Sequence, residues 1–522
     1  MNTVVNTTMI KGSVDLVYRS CTEVRAWPGI FATVREVTQT RAGPDEVIMD
    51  MTVSNDLGDN TVRSHRRYDD ANNRIHFTMS TLPPAITKMD GSWTVEPADD
   101  GARLEIVHNF EATDDSELGS SELAATLKQT TDRVLAELKV WVEADQELSD
   151  LYDEMHASTN KVPAETFVTC ELFFSRLLLG GLDWGDIAMV CKDLKKESTH
   201  GDWADWHRRW SALGRHYERR AQQCFASGEL ETGRFATRRA AACYHYAEFF
   251  YFDAPAVKNA TRQRVTAVFE RGMAHLKGNV RRLEIPYEGT VLPGYLMTPE
   301  GNGPWPYVIL INGLDAAKEV EMHTFANEFM ARGMAAVVFD GPGQGVFAGL
   351  TPMVTDFENV VAAVLALANR QPEVDPGRVG VFGVSFGGYL APRAAAAVPG
   401  FTACVNLSGG FDLDNYRDIN STVRHDFRFV FGIDDEDEMA EFARRWVNLR
   451  DVPPLRVPLL AIHAEQDSII PFESCQRMLA WAVGETELLS YPGKGHVAPE
   501  HFGDYIPYLS DWMAERLGAV AS

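Results

Sequence analysis

The chain has 522 residues, 45% of them hydrophobic and 24% charged, enough to bury several cores and far from the composition of a disordered polypeptide. Its 74 acidic against 49 basic side chains leave a formal net charge of −25, which repels phosphate backbones and anionic lipid surfaces and argues against nucleic-acid or membrane partners. Seven scattered cysteines without a Cys-x-x-Cys pair, no signal-like N-terminus and no apolar run of 18 residues predict a cytoplasmic, soluble protein with neither a disulfide framework nor a zinc site.

Residues 1–150 read as one unit. "DEVIMDMTVS", "NRIHFTMST", "GSWTVEP" and "ARLEIVHNFEA" alternate apolar with polar residues between turn signals, as antiparallel strands do. The stretch "SSELAATLKQTTDRVLAELKVWVEADQEL" then repeats Leu123, Leu127, Val134, Leu138 and Val142 at helical spacing, which predicts a curved sheet closed by one long helix. In residues 151–278 the strand signals vanish. "AETFVTCELFFSRLLLGGLDWGDIAMVCKDLKK", "ADWHRRWSALGRHYERRAQQCFASG" and "ETGRFATRRAAACYHYAEFFYF" predict aromatic-rich amphipathic helices.

From 279 to 522, continuous apolar runs such as "PYVILING", "MAAVVFDGPG", "RVGVFGVS", "TACVNLSGG" and "PLLAIHAEQD" alternate with helical patterns, the signature of a mostly parallel sheet covered on both faces. In "GVSFGG" the glycines of Gly383-x-Ser385-x-Gly387 permit a strained strand-to-helix turn that holds Ser385 out as a nucleophile. Asp467 ends a later apolar strand and His496 lies in the loop after the next one. Serine, acid and histidine thus follow the order of an α/β-hydrolase, with the imidazole as base and the carboxylate orienting it. Glu465 is the alternative acid. Oxyanion donors are expected from the backbone N–H of Phe386 and of Leu314, in the loop "NGLDAAKE". Asp315 beside it either takes part in the chemistry or caps the following helix.

These motifs, with "FDGPGQG" and "GKGHVAP", resemble the α/β-hydrolase branch that contains the 2,6-dihydroxypseudooxynicotine hydrolases and FrsA-like esterases, over residues 160–520. The resemblance implies a helical cap and a cofactor-free hydrolase whose relatives cleave a carbon–carbon bond beside a ketone or shorten polyketide chains by a retro-Claisen step. It also implies that Asp315, at the position of the branch's extra acid, joins the catalytic group. The cap aromatics Trp206, Tyr244 and Tyr246, with Trp203 and Trp210, would shape an aromatic pocket.

"EVRAWPGIFATVREV", "RSHRRYDD" and "GSWTVEP" are similar to the aromatase/cyclase domains of type II polyketide synthesis, members of the START-like helix-grip fold, over residues 5–148. That likeness implies that Trp27, Ser64 and Arg66 contact a poly-β-ketone; Val34 stands where the family places a pocket tyrosine. A plain surface charge is the other reading of Arg66, since Arg63 and Arg67 flank it. Together the two resemblances imply a bifunctional cyclase-hydrolase of bacterial aromatic polyketide biosynthesis. Its substrate is expected to be a small aromatic polyketide, free or carried on acyl carrier protein, and its assembly state to extend to a homodimer. Thioester release from the carrier, or plain carboxylester hydrolysis beside a ligand-binding domain, are the alternatives.

Overall fold

The computed structural model describes residues 2–43, 45–55, 58–82, 85–113, 119–157, 174–192, 194, 203–276 and 278–519. They divide into two compact units, Met1–Leu151 and Tyr152–Ser522.

In the first unit seven antiparallel strands follow one another: β1 (Asn2–Ile10), β2 (Val34–Arg41), β3 (Glu46–Asn55), β4 (Gly58–Asp69), β5 (Arg74–Met79), β6 (Ile86–Ala98) and β7 (Gly101–Ala112). The sheet order is β1-β7-β6-β5-β4-β3-β2, so every neighbour but β1–β7 is joined by a hairpin. Period-2 alternation turns Ile75, Phe77, Leu104 and Ile106 inward, where they meet Leu135, Leu138 and Val142 of the long helix Ser120–Ala157. That is the helix-grip arrangement. The heptad-like stripe expected for the helix is buried toward its middle, at Leu138 and Val142, while Leu123, Leu127 and Val134 are only partly covered.

The second unit holds an eight-stranded sheet ordered β15-β14-β13-β12-β10-β11-β9-β8. β10 (Trp305–Ile311), β11 (Ala335–Phe339), β12 (Val374–Val384), β13 (Ala403–Leu407), β14 (Leu459–Ala464) and β15 (Thr486–Tyr491) run parallel. At one edge β8 (Asn279–Tyr287) and β9 (Thr290–Thr298) add an antiparallel hairpin. Its two turn residues, Glu288 and Gly289, have φ of 45° and 80°, the geometry that matches a tight hairpin to the right-handed strand twist. The central strands are buried on both faces by helices such as Phe357–Ala368 and Phe386–Ala397 on one side and Glu321–Met330 and Phe502–Arg516 on the other. Before the sheet come the helices Trp184–Cys191, Ala204–Ala226, Leu230–Glu248 and Pro255–Gly272. Of the helical stretch expected over 164–196, residues 164–173, 193 and 195–196 lie outside the described residues.

Candidate active site

Ser385 stands directly after β12, at the N-cap of helix Phe386–Ala397, with φ 54° and ψ −120°. An L-residue in that region is strained, and the neighbours hold it there. The Ser385 N–H donates to the Leu407 carbonyl at 2.7 Å. A Cβ at Gly383 would run into the Gly387 carbonyl, and one at Gly387 into the carbonyls of Ile311 and Asn312. The glycines of the pentapeptide therefore let helix and sheet approach closely enough to force the turn.

His496 and Asp467 complete the relay. The His496 Nε2 lies 2.8 Å from Ser385 Oγ, and Nδ1 lies 2.6 Å from Asp467 Oδ2. Asp467 Oδ1 accepts the backbone N–H groups of Ile469 and Ile470, both at 2.9 Å, so its orientation is fixed. Burial would raise the Asp467 carboxyl, but the charge and hydrogen bond of His496 outweigh it and hold Asp467 below the usual carboxylate range. The loop after His496 carries two consecutive left-handed residues, Val497 at φ 62° and Ala498 at φ 41°, and Tyr505 pins it by donating to the Val497 carbonyl at 2.6 Å. Glu465, the alternative acid, instead accepts from Ser490 Oγ at 3.0 Å.

The loop after β10 is braced from beneath. Lys318 pairs with Asp340 and Glu319 at 2.6 Å each, and Asn312 Nδ2 donates to Asp340 at 2.9 Å. Leu314 and Phe386 are buried on it and beside it, and among the described residues neither backbone N–H finds a protein acceptor, as donors kept for an oxyanion require. Asp315 does not cap the next helix: Val320 holds the N-cap position of Glu321–Met330. Asp315 Oδ1 accepts from Arg176 Nη2 at 2.8 Å, while Arg176 Nε donates to buried Glu321 at 2.9 Å. The guanidinium also lies over the Phe249 ring, 4.6 Å from its centroid.

Above Ser385 opens a cavity of about 480 Å³. Its wall includes Ser385, His496, Leu314, Phe386, Asp315, Arg176 and Asp426, with an apolar remainder supplied by Trp203, Phe249, Phe250, Phe252 and Phe427. The aromatic pocket expected of the helical segment is present and Trp203 is in its wall, but the other four side chains assigned to it, Trp206, Trp210, Tyr244 and Tyr246, are not. Trp206, Tyr244 and Tyr246 are at most 2% exposed and serve helix packing. Trp206 Nε1 donates to the Tyr246 carbonyl, Tyr244 donates to Glu218, and Tyr246 donates to the Arg176 carbonyl. In the wall, Phe249, Phe250 and Phe252 come from the turn after helix Leu230–Glu248, and Phe427 from helix Ser421–Phe431. Spacing along the chain cannot tell a helix's buried face from its cavity face. Arg176 carried no motif. Asp426 did leave a trace, a charged residue between Val423, Phe427 and Val430 on the apolar stripe of helix Ser421–Phe431.

In the first unit Arg66 is 7% exposed, so the surface-charge reading falls. Its guanidinium carbon lies 4.7 Å from the Trp27 ring and 5.4 Å from that of Trp93, and the two rings stack at 5.7 Å. Arg66 Nε and Nη1, Ser64 Oγ and His108 Nδ1 are buried without hydrogen-bond partners. Burial pulls Arg66 down to about 10 and, with Arg66 nearby, His108 to about 4. Ser64 and Arg66, two apart on β4, face the same side of the sheet. Val34 is buried at 7% exposure and brings no polar group.

Fold and relay together define a serine hydrolase of the α/β-hydrolase class joined to a helix-grip domain. Residues 198–410 match the FrsA-like esterases, 325–519 the prolyl oligopeptidase family, and 1–143 the polyketide cyclase / dehydrase and lipid transport family. The chain is 31% identical over 301 residues to the 2,6-dihydropseudooxynicotine hydrolase of Paenarthrobacter nicotinovorans, covering 57% of this chain and 79% of that one. It belongs to the family of that hydrolase. The 20-hydroxy-prefusarin hydrolase FUS2 of Gibberella moniliformis is 34% identical over 49% of this chain and 63% of its own length. A crystal structure of 2,6-dihydroxy-pseudo-oxynicotine hydrolase superposes with a TM-score of 0.61 at 27% identity, over 66% of this chain and 95% of that one.

Proposed function

We propose that the second unit hydrolyses a carbon–carbon bond of a β-diketone in an aromatic polyketide, and that the first unit binds the same class of compound. The observation that carries this reading is the cavity itself: a complete Ser385–His496–Asp467 relay faces an apolar aromatic chamber whose wall also holds carboxyl groups, among them Asp315 and Asp426, and a guanidinium. A plain ester hydrolase needs the relay and the oxyanion donors; extra proton-handling groups are needed when the leaving atom is carbon. Ser385 Oγ adds to one carbonyl as His496 takes its proton. The Leu314 and Phe386 N–H groups hold the oxyanion, and collapse breaks the bond to the central carbon. The departing group is an enolate, so no cofactor is called on. Water then frees the acyl-enzyme as a carboxylic acid.

The polyketide assignment is supported by the relatives named above, one of which acts on a prefusarin, and by the cyclase match of the first unit. Mass spectrometry of products from a reconstituted polyketide synthase tests it. Wild type should give a shortened ketone and a carboxylic acid, with Ser385→Ala accumulating the longer precursor. A full-length acid from wild type would mean thioester release and overturn the reading.

A further inference from the structure

Asp426 lies on helix Ser421–Phe431, between Val423 and Phe427 of the cavity wall. It is 8% exposed, and among the described residues its carboxyl enters no hydrogen bond or ion pair. Such a group is costly as an anion in an apolar wall and stays protonated unless a cation meets it. Asp315 differs in this respect, since Arg176 engages it directly.

We propose that Asp426 is the acid of the carbon–carbon cleavage, donating its proton to the enolate that departs when the Ser385 adduct collapses. The proposal rests on the β-diketone reading above. Collapse of the adduct re-forms the acyl carbonyl and sends the electron pair of the broken bond into the enolate. The Asp426 O–H supplies the proton that makes the leaving group a neutral enol, which tautomerises to the ketone. Asp426, now a carboxylate, recovers a proton from the His496 imidazolium. Neutral His496 then takes a proton from the water that attacks the acyl-enzyme and returns it to Ser385. The net reaction adds one water across the broken bond.

The surroundings suit that role. Burial first, then the like charge of Asp315 and, less strongly, of Glu248, push Asp426 up to about 7, against the pull of Lys258 and Arg262. Arg176, Glu321, Glu500 and His496 are the other charged or titratable groups of the wall. Proton donation requires the acid form, so activity is lost as pH rises through the Asp426 value.

The test uses the full-length enzyme with 1-phenylbutane-1,3-dione and with p-nitrophenyl acetate, whose phenolate departs without a proton. Asp426→Asn should lower the ratio of diketone to ester kcat/KM by ~100-fold or more, within the span of general-acid catalysis. Wild-type diketone cleavage should fall above about pH 7, the ester reaction should lack that fall, Asp426→Glu should shift it, and Asp426→Asn should lose it. An unchanged ratio in Asp426→Asn with ester turnover intact overturns the proposal while the β-diketone reading stands. If Asp426→Asn is dead on both substrates, the Asp426→Glu profile decides: a displaced fall supports the proposal, and one superimposed on wild type overturns it. Wild type that turns over the ester and never the diketone defeats the carbon–carbon reading, and the proposal with it.

Discussion

Ser385 shows how little of a nucleophile is the side chain alone. Its backbone at φ 54°, the 2.8 Å bond to His496 and the fixed Asp467 are supplied by strands far apart in the chain. Ser385→Ala should cost on the order of 10⁶ in turnover and Asp467→Asn about 10⁴, because the asparagine amide favours the wrong imidazole tautomer. Stopped-flow turnover of an aryl ester measures both. Glu465→Gln, whose partner is Ser490, should stay within a few-fold of wild type in the same assay. The serine, histidine and acid were legible because the fold demands their order and leaves short motifs around each. Asp315 was legible as a position but not as a partner: Arg176, 139 residues earlier, engages it.

Among the elements, the helices over 204–272 depend on ionic links that their amphipathic pattern conceals. Glu218, 8% exposed on helix Ala204–Ala226, receives Tyr244 at 2.9 Å and Arg264 at 3.0 Å, and pairs with Arg271. Glu218→Ala removes the anion that Arg264 and Arg271 share and should destabilise the unit by ~1–3 kcal/mol, read as a lowered urea midpoint. Burial opposes the anion, but the arginines prevail and bring the Glu218 carboxyl down to about 2. A folded value below the ordinary one gives stability that is complete above about pH 4.5 and lost as pH falls toward 2. The gap between wild type and Glu218→Gln in urea unfolding should therefore narrow across that window; a gap that is constant with pH would contradict it. At this scale the long apolar strands of the parallel sheet were readable. The edge strands β1 and β8 were not, because their exposed polar residues dilute the apolar pattern.

Over the whole molecule, the described residues form cores from separate stretches of chain, one within residues 4–142 and two within 269–517. Each site lies inside one unit, so each can be probed by its own variant. In full-length protein carrying Ser385→Ala, Arg66→Ala should weaken binding of an aromatic polyketide roughly 10- to 100-fold, the cost of one buried charged hydrogen-bond donor. Quenching of the stacked Trp27 and Trp93 reports it, and unaltered affinity would remove Arg66 from the binding site. The sequence alone determined a curved antiparallel sheet closed by a long helix, the α/β-hydrolase class and the members of the relay, because hydrophobic period, glycine placement and motif order are local properties of the chain. Only the tertiary structure decided that Trp206, Tyr244 and Tyr246 are buried behind the cavity, that Arg176 holds Asp315, and that Asp426 faces Ser385's chamber. Those outcomes depend on the rotation of each helix about its axis and on contacts between residues more than a hundred positions apart, where burial rather than residue type sets charge and role.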